Sequence, residues 1–288
     1  MAFATSTELP DSSPDDRLAL TELAARSVHA SPAVWDSETV DWSAFDIVVV
    51  RSTWDYTRKA DRFLGWVDRV SRVASLWNPP NLIRWNSHKS YLVELARAGF
   101  HVVPTELLAR GSDRPLADIL KDRGWAKVVV KPAIGAAARE LLVVPPEELE
   151  AGEHHLHRLL AKGEVLVQPF LEGVEKEGER SLIYFAGRFH HAIDYAYVLG
   201  DHSRQPRKSV PRPQELAQAE GILRWLPTKP LYARVDFLPG GDGKSLLGEL
   251  ELIEPDLFLR ADARAPASFA ESILGALDGA PGARVPGP

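Results

Sequence analysis

The chain has 288 residues, too long for one small core and suited to two or three packed subdomains. It is 45% hydrophobic and 26% charged, the balance of an ordinary folded protein, and its formal net charge of −6 without a long Lys/Arg run excludes the electrostatic footprint of a nucleic-acid binder. The absence of cysteine excludes disulfides, zinc thiolates, iron–sulfur clusters and thiol nucleophiles.

Strand-like and helix-like segments alternate, which predicts α/β or α+β architecture. Residues 1–14 lack the basic-then-apolar pattern of a secretory signal. No apolar run nears the ~20 residues that cross a bilayer. A cytoplasmic protein with no membrane partner is therefore expected. Residues 15–25 predict a helix, with Pro14 and two acids at its start. Residues 45–50 are a short Ile/Val run, the pattern of a buried strand. Residues 58–73 predict an amphipathic helix, and 74–76 a further strand ended by Asn78-Pro79-Pro80. These pieces suggest a small Rossmann-like domain, without the G-x-G-x-x-G of a dinucleotide site.

Residues 86–98 read as a helix that stops at Gly99, and 102–108 as a strand. A short helix is expected at 116–123. Strands at 125–132 and 141–144 flank a loop of mostly small residues. A helix over 146–161 and a strand over 164–171 lead into a polar loop, 172–179. Strands at 181–185 and 188–193 are joined by Ala186-Gly187, a hairpin signal. Residues 200–212 are polar and basic and are expected to form a mobile loop. A helix at 214–225, a hairpin of 231–238 with 245–253, and a helix at 267–277 complete the pattern. The Gly/Pro-rich tail, 278–288, is expected to be disordered.

The most informative stretch is Arg234-Val-Asp236-Phe, then Asp242-Gly243, then Glu249-Leu-Glu251. Asp-Gly is a strong two-residue turn signal. With that turn, Asp236 lies opposite Glu249 and Arg234 opposite Glu251. Directly paired residues share a sheet face, so all four charges project from one side. Val235, Phe237, Leu250 and Leu252 project from the other, toward a core. Three carboxylates against one arginine do not cancel, and a divalent cation would remove the conflict. Oxygen-only ligands favour magnesium, with manganese as the alternative ion. A solvated acidic sheet face would leave the same pattern.

Val128-Val129-Val130-Lys131-Pro132 places a lysine at the end of a buried strand, followed by small residues that let backbone amides approach phosphate oxygens. A lysine snorkelling from a strand end is the plainer reading. Lys89 lies early in the helix predicted over 86–98. Arg51, Trp54 and Asp55 follow the strand at 45–50, where ligands of α/β domains bind. Arg51 and Asp55 are candidate contacts to the carboxylate and amine of an amino-acid-like substrate; a local Arg–Asp pair is the alternative. Trp54 suits a packing anchor or a stacking platform. His190 and His191 adjoin on a strand and are expected to face opposite ways, with His191 a candidate for the cleft. His154, His155 and His157 read as one solvated helix face.

The order of these pieces resembles the ATP-grasp superfamily. The ordered set is Lys89, Val-Val-Val-Lys131-Pro, Val-Leu-Val-Gln168-Pro-Phe-Leu, Gly-Glu179-Arg, Arg234-Val-Asp236 and Glu249-Leu-Glu251. Glu249-Leu-Glu251-Leu-Ile-Glu-Pro255 is similar to the Glu-x-Asn-x-x-x-Pro of glutathione synthetases, with Glu in place of Asn. Arg234-Val-Asp236 resembles the Arg-x-Asp of D-alanine–D-alanine ligases. Arg51-Ser-Thr-Trp54-Asp-Tyr and Trp85-Asn-x-x-Lys89 resemble the group that includes the O-ureido-D-serine cyclo-ligase of cycloserine biosynthesis.

The resemblance implies a Rossmann-like domain over 1–82, a central lobe over 83–168 and a C-terminal lobe with the metal site over 169–277. It implies that Lys89 and Lys131 bind ATP phosphates, and that Gln168, Phe170 and Leu171 form the linker whose backbone contacts adenine. Glu179 matches the acid on the ribose hydroxyls, with Glu172 as a second candidate. Asp236, Glu249 and Glu251 would hold magnesium, and Arg234 would neutralise the oxyanion formed when an acyl phosphate is attacked. The implied activity is an ATP-dependent carboxylate–amine ligase or cyclo-ligase working on small molecules, as a monomer or homodimer. A kinase-like phosphotransferase and a nucleotide-binding module without turnover are the alternatives. The group pattern also implies a lysine shortly after His191-Ala192, where this chain has Ile193, Asp194 and Tyr195.

Overall fold

The computed structural model describes residues 1–136, 138–195, 206–241 and 243–278. The mobile-loop expectation for 200–205 and the disordered tail from 279 onward lie outside them. Three sheets carry the structure. The first is parallel, with order β2-β1-β3-β4, from β1 (Ala2–Thr5), β2 (Ser31–Val34), β3 (Ile47–Ser52) and β4 (Ser75–Trp77). Ile47 and Val49 pack on one face and Val48 and Val50 on the other, so β3 is buried on both sides, which explains its unbroken apolar run. Helix α1 (Pro14–Ala25) covers the first face; Phe63, Trp66, Val67 and Val70 of α2 (Ala60–Val70) cover the second.

Three strands and two helices were not foreseen, the third strand being residues 207–209 of the segment expected as a mobile loop and the second helix residues 173–177. Strand β1 is four buried residues with no alternation, and β2 carries Pro32 at a sheet edge, where its missing N–H costs little. The Pro79-Pro80 pair ends β4 as expected, but Pro80 also opens α3 (Pro80–Asn86). The helix expected over 86–98 is thus two pieces, with α4 at Tyr91–Arg97.

The second sheet, order β5-β8-β6-β7, is built from β5 (Glu106–Leu108), β6 (Val128–Pro132), β7 (Leu142–Val144) and β8 (Val165–Pro169). Val128, Val130, Val165 and Val167 pack beneath α5 (Leu116–Arg123) and α6 (Leu149–Leu160). The polar loop expected after β8 contains a short helix, α7 (Gly173–Glu177).

The third sheet has order β11-β10-β9-β12-β13. Its strands are β9 (Glu179–Phe185), β10 (Arg188–Tyr195), β11 (Arg207–Ser209), β12 (Tyr232–Pro239) and β13 (Ser245–Glu251). Ala186 and Gly187 both have positive φ, as a tight hairpin turn requires. One face, with Leu182, Val235, Phe237, Leu250 and Leu252, packs on α4 and α8 (Pro213–Trp225). Toward the β10 side the opposite face, with Ile183, Phe185 and Tyr232, meets the first sheet and α9 (Ala265–Asp278). Among the described residues no helix is long and apolar enough to cross a membrane.

Candidate active site

The β12–β13 hairpin pairs Arg234 with Glu251 and Asp236 with Glu249. The expected register therefore holds, although the turn is built differently. The Gly240 N–H donates to the Lys244 carbonyl at 2.7 Å, so the loop is a residue longer than two; Asp242 lies outside the described residues. A bulge after Asp236 absorbs that residue opposite Gly248. Glycine is needed there, since a Cβ would lie 2.8 Å from the Leu238 side chain.

The outer edge of β13 is bonded at Leu247 by the backbone of residues 101–103 and further along by side chains, the Tyr91 hydroxyl accepting from the Leu250 N–H at 3.1 Å. Asn86 donates to the Leu250 carbonyl at 2.8 Å and accepts from the Leu252 N–H at 2.7 Å. That clasp fixes the backbone on both sides of Glu251. Three residues after Asn86, Lys89 donates its backbone N–H to the Ala133 carbonyl at 2.8 Å and ion-pairs with Glu249 through its ammonium. Lys131 projects from β6 on the face opposite the buried Val128 and Val130, and its charge is felt by Glu249, Lys89 and Glu179. Lys89, in the turn between α3 and α4, and Lys131, on the second sheet, thus meet the acids of the hairpin across one cleft.

Arg234 grips Asp236 through Nε at 3.0 and 3.1 Å, ion-pairs with Glu251 and donates to the Asp256 carbonyl at 3.3 Å. Negative charge nevertheless exceeds positive. Burial pushes Asp236 up against the pull of Arg234. Burial lifts Glu251 to about 7, with Glu249 and Asp236 adding to the rise. Burial and Asp236 hold Glu179 well above the usual carboxylate range. Burial also raises Glu249, but Lys89 and Lys131 overrule it and hold that carboxyl low. Burial draws Lys131 down to about 8. Among the described residues no three acidic or histidine side chains converge as metal ligands do. Asp236 and Glu251 turn to Arg234, and Glu249 turns to Lys89. An oxygen-only donor set carrying excess negative charge fits a hard divalent cation.

Gln168 faces the cleft side of β8, where its Nε2 donates to Thr105 Oγ1 at 2.8 Å. The Phe170 N–H donates to the Lys127 carbonyl at 2.8 Å, and the Lys127 ammonium sits 3.6 Å from the ring centre. The Leu171 carbonyl accepts from Val174 at 3.0 Å. Glu172 is exposed near Lys127, whereas Glu179 stands beside Asp236 in the acid cluster.

The expected substrate contacts fare differently. Arg51 is buried, donating to Asp16 at 2.8 Å and to the Pro255 carbonyl at 2.8 Å, and it lies over the Tyr232 ring. Asp55 is buried, accepting from Trp35 Nε1 at 2.9 Å and pairing with Lys59 at 2.9 Å. Both are engaged by protein partners, and they do not pair with each other. Trp54 donates to the Glu254 carbonyl at 2.9 Å, as a packing anchor does. His190 and His191 do not face opposite ways. A bulge between Phe189 and His191 turns the rings together, with the two Nδ1 atoms 2.8 Å apart. His191 lies two strands from Arg234, in the row His191–Ile183–Arg234, and burial takes it down to about 4.

Sequence reasoning assigned no role to Glu254 or Tyr56. Both are buried, and both are electrostatic neighbours of Glu249 and Glu251. Burial, then Glu251, raises Glu254 to about 8. The chain leaves β13 after Glu251, so strand alternation could not place Glu254. An acid before proline at the end of an apolar run was its one visible signal.

The chain is 35% identical over 256 residues to the cycloserine biosynthesis protein DcsG of Streptomyces lavendulae, covering 83% of this chain and 86% of that protein. It is an ATP-grasp ligase of the DcsG family. The model of the DcsG N-terminal domain matches residues 1–78 of this ligase. The crystal structure of the D-cycloserine synthetase DcsG superposes with a TM-score of 0.87 at 32% identity, over 96% of this chain and 98% of that one. The fold extends to the D-alanine–D-alanine ligase of Bacillus anthracis complexed with ATP, at TM-score 0.66 and 17% identity over 96% of each chain. An ATP-dependent ligase forming C–N bonds accounts for the two-lysine cleft.

Proposed function

We propose that this ligase activates the carboxylate of an amino-acid-like small molecule as an acyl phosphate, with ATP and magnesium, and joins it to a nitrogen of a second substrate or of the same molecule. The observation that carries the reading is the meeting of Lys89 and Lys131 with Asp236, Glu249 and Glu251 in one cleft. The cycloserine chemistry of the relatives makes O-ureido-D-serine the first candidate substrate. The working division of the chain is 1–82, 83–168 and 169–277, with the cleft between the last two.

Lys89 and Lys131 bind the phosphates, and the 168–171 linker receives adenine. Glu179 takes the ribose hydroxyls. Asp236, Glu249 and Glu251 would hold magnesium, whose charge would offset that of the triphosphate. A substrate carboxylate oxygen attacks the γ-phosphorus and ADP leaves. The nitrogen then attacks the acyl carbon, and phosphate departs carrying the carboxylate oxygen. Arg234, already turned to Asp236 and Glu251, faces the oxyanion of that second step.

Isotope transfer tests this. With the substrate carboxylate labelled with oxygen-18, label is expected in the released phosphate. A phosphorylated product instead would make the enzyme a kinase, and neither result would make it a binding module. Asp236→Asn and Lys131→Ala are each expected to lower ATP turnover by roughly 100-fold or more with the fold intact. Wild-type turnover in both removes the site.

A further inference from the structure

We propose that Glu254 receives the ammonium group of the amino-acid substrate, an inference that rests on the ligase reading above. Glu254 is 8% exposed. Among the described residues its carboxylate makes no hydrogen bond or ion pair; only its backbone carbonyl is engaged, by Trp54. A buried carboxylate without a partner is costly, and such groups are found paired. The cations nearby are already committed: Lys89 to Glu249, Arg234 to Asp236 and Glu251, Arg51 to Asp16. An ammonium brought in by the substrate would supply the charge that keeps this carboxylate ionised.

The surroundings favour an organic ammonium over a metal ion. Glu254 lies beyond the end of β13, three residues past Glu251, and Trp54, Tyr56 and Tyr232 stand around it. A single carboxylate among neutral neighbours matches one ammonium, whereas magnesium takes several oxygen ligands and keeps waters and phosphate oxygens in its shell. The segment is also rigid. Trp54 holds the Glu254 carbonyl at 2.9 Å and Arg51 the Pro255 carbonyl at 2.8 Å. In an α-amino acid the nitrogen is attached next to the carboxyl carbon. A receptor for it must flank the place where the carboxylate is phosphorylated, and Glu254 flanks the proposed metal carboxylates.

Calorimetry with a non-hydrolysable ATP analogue and magnesium tests this, with O-ureido-D-serine and its des-amino counterpart 3-(ureidooxy)propanoate as probes. Wild type is expected to bind the amine at least ~10-fold more tightly, the scale of a hydrogen bond to a charged group. Glu254→Gln is expected to erase that preference while leaving the affinity for nucleotide and magnesium unchanged. Glu254→Asp, which keeps the charge, is expected to retain part of it and stands in if the glutamine variant folds poorly. Equal wild-type binding of the two probes, or of neither, overturns the proposal. So does a preference that survives in Glu254→Gln, or a loss of magnesium-dependent nucleotide binding in that variant. Isotope transfer reports on the ligase reading separately and can succeed while this fails.

Discussion

A lysine that must hold phosphate is most useful if its charge is not already spent. Lys89 is spent in part on Glu249, whereas Lys131 is drawn down to about 8 by burial and has no side-chain partner among the described residues. Phosphate oxygens in the cleft would raise its pKa again, so nucleotide binding is linked to keeping one proton. Below pH 8 that proton is present before binding. Above pH 8 it must be taken up, and affinity should fall with rising pH by up to ~10-fold per unit until the bound-state pKa is passed. Lys131→Arg keeps its charge throughout this range and should flatten the profile. Titrations of a non-hydrolysable ATP analogue from pH 7 to 9.5 decide it; parallel profiles for the two proteins would refute the linkage. At this scale the sequence was informative wherever chemistry sits on a regular strand. Asp236, Glu249 and Glu251 were placed by alternation, and the opposite row of Val235 and Leu250 is buried as required. The partners of Arg51 and Asp55, Asp16 and Trp35, were not legible because they are distant in the chain and no local pattern announces them.

The element that matters most is the β12–β13 hairpin, and the end of its outer edge around Glu251 is held by the Asn86 side chain. Asn86 supplies a donor to Leu250 and an acceptor to Leu252, the two bonds that a neighbouring strand would have made. Asn86→Ala leaves both buried backbone groups unpaired, each costing roughly 1–3 kcal/mol. Urea unfolding should therefore show a loss of ~2–5 kcal/mol, with lower turnover as Glu249 and Glu251 lose their alignment. A stability loss below ~1 kcal/mol would show that water or a neighbouring group replaces the clasp. The Trp85-Asn-x-x-Lys89 motif thereby acquires a structural meaning: Asn86 aims the strand that carries Glu249 and Glu251, and Lys89 reaches Glu249. Helices such as α6 and α8 were legible from sequence because their apolar spacing is local. Strands β1 and β2 were not, since β1 is four buried residues without alternation and β2 is a short edge strand containing Pro32. The hairpin turn was misread because Asp-Gly marks a turn without fixing its length, and Gly248 compensated the difference.

At the scale of the whole molecule, the first sheet is joined to the third through a buried polar seam. Asn78 donates to the Tyr232 and Leu252 carbonyls at 2.8 and 2.7 Å, and the Tyr232 hydroxyl lies 2.6 Å from the Val50 carbonyl. At its centre Arg51 pairs with Asp16, both almost wholly buried, and reaches across to Pro255. Asp16 is further held by the Ser52 hydroxyl at 2.6 Å, while Arg51 Nη1 has no acceptor among the described residues. Desolvation weighs heavily on such a pair, so its net contribution is small while the cost of breaking it is large. Arg51→Met fills similar volume but strands the Asp16 carboxylate, and should cost ~3–5 kcal/mol. Arg51→Met combined with Asp16→Asn removes both charges, lets Ser52 bond to the amide, and should recover most of that loss. The recovered protein still lacks the grip on Pro255, so its KM for the amino-acid substrate should rise while its affinity for ATP stays near wild type. A double variant as unstable as the single would show that Arg51 acts through packing on Tyr232 and Phe269 rather than through charge. Unchanged KM in the double variant would show that the first sheet supports the third without setting the position of the segment after β13.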